Sequence, residues 1–316
     1  MRSEILVEVR QASKSFDRHS RVLKDVSLSL QRGEMVALIG ASGSGKSTLI
    51  RAIAGLVSID KNRQKKSDGV AGSIILFGKP MQQNGRVARS AKALRVRIGV
   101  IFQQFNLVPR LSVLTNVCLG LLGRMPFLQG TLGRFTTDDR RRAFHALTRV
   151  GMAEHALKRG SELSGGQQQR AAIARTLVQG AELLIADEPI ASLDPRSARR
   201  VMDILADMNR QDGITVLVSL HQVEYALKYC PRTIALKAGE IVYDGPSSAL
   251  TAATLSAVYG AEQSELFLPG FDQASTKPLA RRSDTQPTHD NTLHPHHGRT
   301  EPGSEQDPQF ARAPAA

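Results

Sequence analysis

The chain has 316 residues, of which 41% are hydrophobic and 4% aromatic, and it carries a formal net charge of +13. This hydrophobic content is ordinary for a globular protein, and the length allows one large core or two modest ones. The sequence has no bilayer-length apolar run, no disulfide framework and no signal-peptide segment, which excludes a membrane-spanning or disulfide-stapled protein and predicts a soluble, cytoplasmic one.

The amino-terminal part begins with strand patterns. Residues 7–10 and 26–30 alternate apolar with polar side chains, as half-buried strands do. Met35–Ile39 is a continuous apolar run, which indicates a strand covered on both faces. A glycine-rich loop at 40–45 follows it, and we predict a helix from Lys46 to about Leu56.

The middle of the chain changes from strand to helix patterns. Residues 58–71 are polar and basic and predict a surface loop, whereas 73–77 and 97–102 return to strand patterns. From about 106 to 160 the apolar residues recur at helical spacing. We expect Cys118, within this stretch, to be a packing residue like Cys230.

The last third of the globular part alternates strands and helices. A helix is predicted from Ser164 to about Gln179, followed by a buried strand at 183–186. Asp194-Pro195 is typical of a helix start, with an N-cap before proline at the first helical position. Residues 214–219 predict another buried strand, and 233–244 predict a hairpin around Ala238-Gly239.

Buried strands that alternate with helices predict a parallel α/β core. The helical stretch after Phe102 predicts a separate lobe at about 104–169, with the core formed by 1–103 and 170–250. In 271–316 the composition changes, because six of the 14 prolines and four of the eight histidines fall there without apolar periodicity. We expect this tail to be disordered.

The loop after Met35–Ile39 fits the pattern GxxxxGK[ST] in the context that this motif needs, after a buried strand and before a helix. Its glycines let backbone N–H groups surround phosphate groups, and the helix N-terminus adds a positive dipole end. Lys46 is expected to reach the terminal phosphates, and the Ser47 hydroxyl to ligate Mg²⁺. The phosphate-loop residues are Gly40, Ala41, Ser42, Gly43, Ser44, Gly45, Lys46 and Ser47.

A second motif is the acidic pair Asp187-Glu188, which ends the apolar strand at 183–186. Asp187 is expected to hold the Mg²⁺ shell, largely through water. Glu188 is expected to act as general base on the attacking water. The alternative is that Glu188 only caps the turn before Pro189, which the LSGGQ run upstream disfavours.

The third motif is LSGGQ at 163–167, between the phosphate loop and the acidic pair. Ser164 and Gly166 open a helix, where unpaired backbone donors favour an anion. In this order the three motifs resemble the ATP-binding cassette (ABC) ATPases, and the resemblance extends over residues 1–260. It implies that Ser164 and Gly166 bind the γ-phosphate of ATP held by a second copy of the chain.

The resemblance implies a P-loop NTPase (RecA-like) core with a small antiparallel β subdomain and an inserted α-helical ABC subdomain. It also implies further ATP contacts. These are Thr48 after the phosphate loop, Gln167 in the signature, and Asp194, whose loop crosses the dimer interface. Phe16 matches the aromatic residue that stacks on adenine, although it could instead be a core residue.

The same resemblance assigns the metal and catalytic positions. It implies that Ser47, Gln103 and Asp187 hold Mg²⁺, partly through water. Gln103 would also link the core to the helical lobe. The resemblance further implies that His221 contacts the γ-phosphate and joins Glu188 and Gln103 in catalysis.

Residues next to the motifs indicate which subfamily of ABC ATPases the chain resembles. Ile190-Ala191 stands where most relatives have Thr-Ser or Phe-Ser, and the run around His221 differs from the usual Thr-His-Asp. Together with 229–230 and 243–245, these runs look like the ATP-binding subunits of bacterial phosphonate importers. That resemblance implies a homodimer, membrane permease subunits, a periplasmic phosphonate-binding protein, and a peripheral position on the cytoplasmic side of the inner membrane.

The sequence also fits other functions of ABC ATPases. Importers of phosphite or polar amino acids are the nearest alternatives, and an ABC-like component of carbon–phosphorus lyase is another. ABC ATPases of DNA or ribosomes have long coiled coils or two cassettes in tandem, and this chain has neither. The basic residues at 61–66, 86–97 and 140–142 are not interleaved with aromatics, so we expect no nucleic-acid partner.

Overall fold

The structure is a computed structural model that describes residues 4–17, 20–61 and 72–260. The tail at 271–316 and nearly all of the basic loop at 61–67 lie outside the described residues, so the predictions for them stay predictions. Within the described ranges, no helix has both the length and the apolar content needed to cross a membrane.

Eleven strands and nine α-helices make up the described part of the chain. The strands are β1 (Ile5–Ser15), β2 (Arg21–Gln31), β3 (Met35–Ile39), β4 (Ser73–Leu76), β5 (Lys79–Gln83), β6 (Arg86–Val87), β7 (Ile98–Ile101), β8 (Leu183–Asp187), β9 (Thr215–Ser219), β10 (Arg232–Lys237) and β11 (Glu240–Pro246). The helices are α1 (Lys46–Ile53), α2 (Ala91–Arg95), α3 (Val113–Cys118), α4 (Phe127–Thr131), α5 (Thr137–Arg149), α6 (Gly165–Gln179), α7 (Pro195–Asp212), α8 (Val223–Tyr229) and α9 (Ala252–Tyr259).

The strands form two sheets. The larger has six strands in the order β11-β10-β3-β9-β8-β7, and all neighbours are parallel except the β10–β11 hairpin. The smaller has five antiparallel strands in the order β2-β1-β4-β5-β6. This arrangement confirms the predicted α/β fold and its antiparallel β subdomain. It also brings the carboxyl ends of β3, β7, β8 and β9 to one edge, where parallel sheets usually bind ligands.

Successive side chains of the central strands point to opposite faces of the sheet and belong to two different hydrophobic cores. On β3, Val36 and Leu38 join the core that α1 and the antiparallel sheet cover, whereas Ala37 and Ile39 join the core under α5 to α9. Both faces of the sheet are therefore covered, which explains why β3 is apolar throughout and why β8 and β9 are apolar except at their ends. Cys118 and Cys230 are free and buried, in agreement with their predicted packing role.

Several predicted boundaries are wrong. Strands β1 and β2 are longer than the alternating runs, because they pair with each other through register shifts that break the alternation. Helix α1 ends at Ile53 rather than near Leu56, since Gly55 adopts a left-handed φ of 69°. The sequence patterns missed β5, β6 and α2, which have only two to five residues each and are too short to show a period.

The helical stretch after β7 holds α3, α4 and α5 with short 3-10 turns. The segment between β7 and α3 is held in place by Asn116, whose side chain is fully buried. The Asn116 amide accepts from Val108 N at 2.7 Å and donates to three backbone carbonyl groups, those of Val108, Leu111 and Ser112. This network ties α3 to the segment that follows Gln103.

Helix α6 joins the helical stretch to the core. It packs with α3 and α5, and its last residue, Gln179, reaches β7. The Gln179 amide donates to the carbonyl oxygens of Arg95, Val96 and Ile98 at 3.2, 3.1 and 2.8 Å. The predicted lobe boundary at 169 therefore falls inside a continuous helix, and the division into lobe and core stays a proposal.

A cluster of ion pairs lies at the amino ends of β7 and β8. It makes the stability of the fold depend on pH. Arg97 donates to both carboxylate oxygens of Glu182 at 2.5 and 2.8 Å, and Arg32 adds a bond at 3.0 Å. These bonds, that of Arg97 first, lower the pKa of Glu182 from 4.5 to about 2. The ionised carboxylate therefore stabilises the fold fully above pH 4.5, and this contribution is lost as the pH falls towards 2.

We expect Glu182→Gln to lower the free energy of unfolding at pH 7 by at most about 1 kcal/mol, because the side chain is partly exposed and solvent screens the pairs. Urea unfolding at pH 7 and pH 4 should show the deficit shrinking at the lower pH. Glu240→Gln, which removes one pair with Lys24 at 3.3 Å on an exposed side chain, is the control and should change less. A deficit that grows as the pH falls would contradict this prediction.

Candidate functional site

The glycine-rich loop lies between β3 and the start of α1, and its backbone demands glycine at two positions. Gly40 has φ of 150°, and a Cβ there would collide with the carbonyl oxygen of Leu236. Gly45 has φ of 106°, and a Cβ there would lie 2.8 Å from the carbonyl oxygen of Val22. Since L-residues avoid these φ values, the tight loop between strand and helix depends on glycine.

Lys46 is buried at the centre of this loop, with 4% of its surface exposed. Its Nζ donates to the carbonyl oxygens of Gly40 at 2.7 Å and Ala41 at 3.2 Å. Burial lowers the pKa of Lys46, and the negative charges of Glu188 and Asp187 partly oppose that effect. A buried ammonium group that bonds only to neutral carbonyls among the described residues is well placed to gain from an anion such as phosphate.

Asp187, the last residue of β8, connects the end of the phosphate loop with β9 through two hydrogen bonds. Its Oδ1 accepts from Ser47 Oγ and from Ser219 Oγ, both at 3.0 Å. The site therefore offers a carboxylate and a hydroxyl, the hard oxygen ligands that Mg²⁺ prefers. In addition, Ser44 Oγ is buried without a hydrogen-bond partner among the described residues. The oxygen set fits a magnesium ion held with the phosphates.

Glu188 follows Asp187 at the sheet edge, with a left-handed φ of 51°. Non-glycine residues rarely adopt this conformation, and they do so mainly where the surroundings hold them. The Glu188 N–H donates to Ser219 Oγ at 2.8 Å, and the carboxylate Oε1 lies 2.5 Å from His221 Nε2. The structure thus pairs the two residues predicted for catalysis, a contact that the sequence did not predict.

Both side chains open into a cavity of about 260 Å³. Ser219, which also lines this cavity, connects it with Asp187 through the hydrogen bond between Ser219 Oγ and Asp187 Oδ1. Its walls come from the ends of β8 and β9 and the residues that follow them: Glu188, Ile190, Ala191, Ser219, Leu220, His221 and Gln222.

The other predicted residues of this edge are more exposed. Gln103 is exposed two residues beyond β7. Phe16 is 65% exposed, with Lys14 Nζ 5.3 Å from its ring centroid, so it is not the core residue of the alternative interpretation. Asp194 caps α7, with Oδ1 accepting from the backbone N–H groups of Arg196 and Ser197 at 3.0 Å each.

Within the described ranges, no hydrogen bond joins the LSGGQ segment to the phosphate loop of its own chain. Ser164 is the N-cap of α6 and forms a capping box with Gln167. A Cβ on Gly166 would lie 2.7 Å from Ser197 Oγ, so glycine lets this turn approach the start of α7. The segment is therefore a capped helix N-terminus whose cap residue, Ser164, is exposed.

Two residues that the sequence analysis missed complete the site. Ser219 holds both Asp187 and Glu188, and its signal was visible as a polar end to an apolar strand. Tyr259 at the end of α9 accepts a hydrogen bond from Gly40 N–H at 3.2 Å. Nothing in the local pattern marks that tyrosine, because the contact spans the length of the domain.

Comparisons with known proteins show the family of the chain. Residues 23–191, over half of the chain, match the family model described as ABC transporter. A dimeric ATP-binding cassette in a post-hydrolysis state with ADP and Pi is similar at a TM-score of 0.64 and 30% identity, covering 78% of this chain and 100% of that one. A Clostridium perfringens cassette, part of an ABC transporter complex, gives 0.65 at 27% identity, covering 84% and 96%. The fold and site thus define an ABC ATPase.

Curated relatives specify the branch. The phosphonates import ATP-binding protein of Stutzerimonas stutzeri is 57% identical over 256 residues, 81% of this chain and 90% of the relative. The protein of the same name in Caulobacter vibrioides is 54% identical over 273 residues, 86% of this chain and 100% of the relative. The chain belongs to the phosphonates import ATP-binding proteins of the ABC transporter family.

Proposed function

We propose that this chain is the ATP-hydrolysing subunit of an ABC importer and that it drives phosphonate uptake. The observation that carries the proposal is the 57% identity to a phosphonates import ATP-binding protein over 81% of the chain. The importers of phosphite and polar amino acids are the alternatives that the growth experiment below separates. The carbon–phosphorus lyase component is separated by phosphonate uptake in the same strain, because loss of a lyase component would leave uptake intact.

In this proposal ATP lies along the phosphate loop. The adenine stacks on the exposed ring of Phe16, and the phosphates replace the carbonyl partners of Lys46. The first backbone N–H groups of α1, up to Thr48, point at the phosphate oxygens, as free donors at a helix N-terminus do.

A magnesium ion, which such sites generally require, would be held by Ser47, Gln103 and Asp187, partly through water. The ion would neutralise part of the phosphate charge. The residues of this chain supply the rest of the chemistry. The Glu188 carboxylate accepts the proton of the water that attacks the γ-phosphate, and the 2.5 Å contact with His221 Nε2 keeps the carboxylate turned to the cavity.

We propose that each site is completed by a second copy of the chain. Ser164, Gly166 and Gln167 of one protomer would close on the γ-phosphate held by the other, and Asp194 would lie at the interface. The capped start of α6, where Ser164 is exposed, supports this arrangement. The dimer of the similar cassette with ADP and Pi supports it as well.

The permease subunits are proposed to dock on the helical lobe at 104–169, at its junction with the core at 1–103 and 170–250. A groove of about 470 Å³ supports this, because it lies between α2, β7 and α6. Arg175, on its wall, donates to the carbonyl oxygen of Asn106 at 2.8 Å and so connects the groove with the loop after Gln103. A periplasmic binding protein would choose the phosphonate, and the chain would sit peripherally on the cytoplasmic side of the inner membrane.

A strain lacking this gene should fail to grow on a phosphonate as sole phosphorus source and should grow normally on phosphate, because only the phosphonate route loses its ATPase. Growth should return with the wild-type gene but not with the Glu188→Gln variant, which controls for mere presence of the protein. Normal growth on phosphonate together with failure on phosphite or a polar amino acid would refute the substrate assignment. It would favour the corresponding alternative importer.

A further inference from the structure

The signature helix α6 is held by its capping box, and this box fixes the orientation of one amide group. Ser164 N–H donates to Gln167 Oε1 at 2.8 Å, and Gln167 N–H donates back to Ser164 Oγ at 3.4 Å. Since Oε1 faces Ser164, the Gln167 Nε2 group must point the other way. An amide Nε2 can only donate, so it requires an acceptor.

His155 supplies that acceptor. It lies in the 3-10 turn Ala153–His155, with its side chain 14% exposed, and its Nε2 is 2.9 Å from Gln167 Nε2. Two nitrogens at this distance need one donor and one acceptor, so His155 Nε2 must be unprotonated and Nδ1 must carry the proton. Glu154 Oε1 is farther, at 3.5 Å, on a side chain that is 80% exposed.

The other ring nitrogen shows that packing alone does not explain this histidine. Nδ1 is buried and has no hydrogen-bond partner in the described part of the chain. A buried donor without a partner disfavours the fold, and an apolar side chain of similar size would avoid that cost. Within the described ranges, the bond to Gln167 is the closest polar contact that the ring makes.

We infer that His155 is a positioning residue for the ATP signature. It holds the Gln167 amide so that Ser164 and the first turn of α6 keep the geometry that closes on the partner's γ-phosphate. The inference rests on the proposed trans-completed site and adds to it a residue outside the signature motif. Because the polar contacts of the His155 ring among the described residues are with Gln167 and Glu154 and not with the phosphate loop, its loss should affect dimer closure and leave ATP binding by the monomer unchanged.

The test uses the full chain with Glu188→Gln as parent, which is expected to trap the ATP-bound dimer. Three variants are added singly: His155→Leu, which keeps the bulk; His155→Gln, whose side chain can again offer an acceptor; and His145→Leu, an exposed histidine of α5 as control. Each is measured for ATP affinity at protein concentrations where only monomer exists, and for the dimer dissociation constant in ATP·Mg²⁺ by light scattering.

We expect His155→Leu to raise the dimer dissociation constant about five- to tenfold, the effect of one lost hydrogen bond, with monomer ATP affinity within about twofold of the parent. His155→Gln should recover most of the loss, and His145→Leu should match the parent. An unchanged dimer constant in His155→Leu would overturn the inference. So would a parallel loss of monomer ATP affinity and thermal stability in both His155 variants. A parent that stays monomeric would instead remove the trans-completed site itself, and this inference with it.

Discussion

Replacing Glu188 with glutamine is expected to slow ATP hydrolysis by about 10²–10⁴-fold and to leave ATP binding nearly intact. The amide has the size of the carboxylate but cannot take the proton of the attacking water. Lys46 and Ser47 are untouched, so the groups proposed to hold ATP·Mg²⁺ remain. Steady-state phosphate release and equilibrium binding of a fluorescent ATP analogue measure the two effects separately.

The same variant should accumulate as an ATP-bound dimer, because closure over the γ-phosphate survives while the hydrolysis that reopens the dimer does not. Size-exclusion chromatography with light scattering in ATP·Mg²⁺ should show it, and the sample with ADP should stay monomeric. Adding Ser164→Arg should restore the monomer, since a bulky side chain would then occupy the shared site. A Glu188→Gln protein that stays monomeric at high concentration, also with the permease present, would contradict the trans-completed site.

Lys46→Ala should lower ATP affinity by at least about 100-fold and abolish hydrolysis, because two or more charge-assisted bonds to phosphate are lost. The structure adds a second expectation that concerns stability. The Lys46 ammonium is buried, and burial lowers its pKa, so its removal relieves a desolvation cost in the nucleotide-free protein. The melting temperature without nucleotide should therefore not fall, whereas the stabilisation by added ATP should disappear.

Isothermal titration with ATP·Mg²⁺ and thermal unfolding with and without ATP give both readouts. Lys92→Ala is a matched control, since it removes an exposed lysine of α2 and should bind ATP like the wild type. Wild-type turnover in Lys46→Ala would refute the proposed role of the phosphate loop. A lowered melting temperature without nucleotide would show that the carbonyl bonds of Lys46 stabilise the fold more than its burial destabilises it.

The central sheet and its ligand edge were predictable because their signals are runs of neighbouring residues in the sequence. Continuous apolar runs mark β3, β8 and β9, and the phosphate loop and acidic pair come directly after two of them. The pairing of His221 with Glu188 was not predictable in this way, since the two residues meet only through the parallel register of β8 and β9.

Contacts between distant segments explain the other omissions. Tyr259 reaches Gly40 from the last described helix, and His155 reaches Gln167 from a short turn with no period of its own. Local patterns specify which side chains are buried, but they do not specify which buried polar atoms meet. The predicted end of α1 is wrong for a different reason. The left-handed Gly55 stops the helix although its apolar pattern continues.

The continuity of α6 has a mechanical consequence. Its fifteen residues span about 22 Å at 1.5 Å per residue, with the signature at one end and the Gln179 anchor on β7 at the other. A rigid rod of that length acts as a lever, so a tilt of about 10° around the anchor moves Ser164 by about 4 Å. That displacement exceeds any hydrogen-bond length, so a small tilt of this one helix is enough to connect or disconnect the signature and a phosphate.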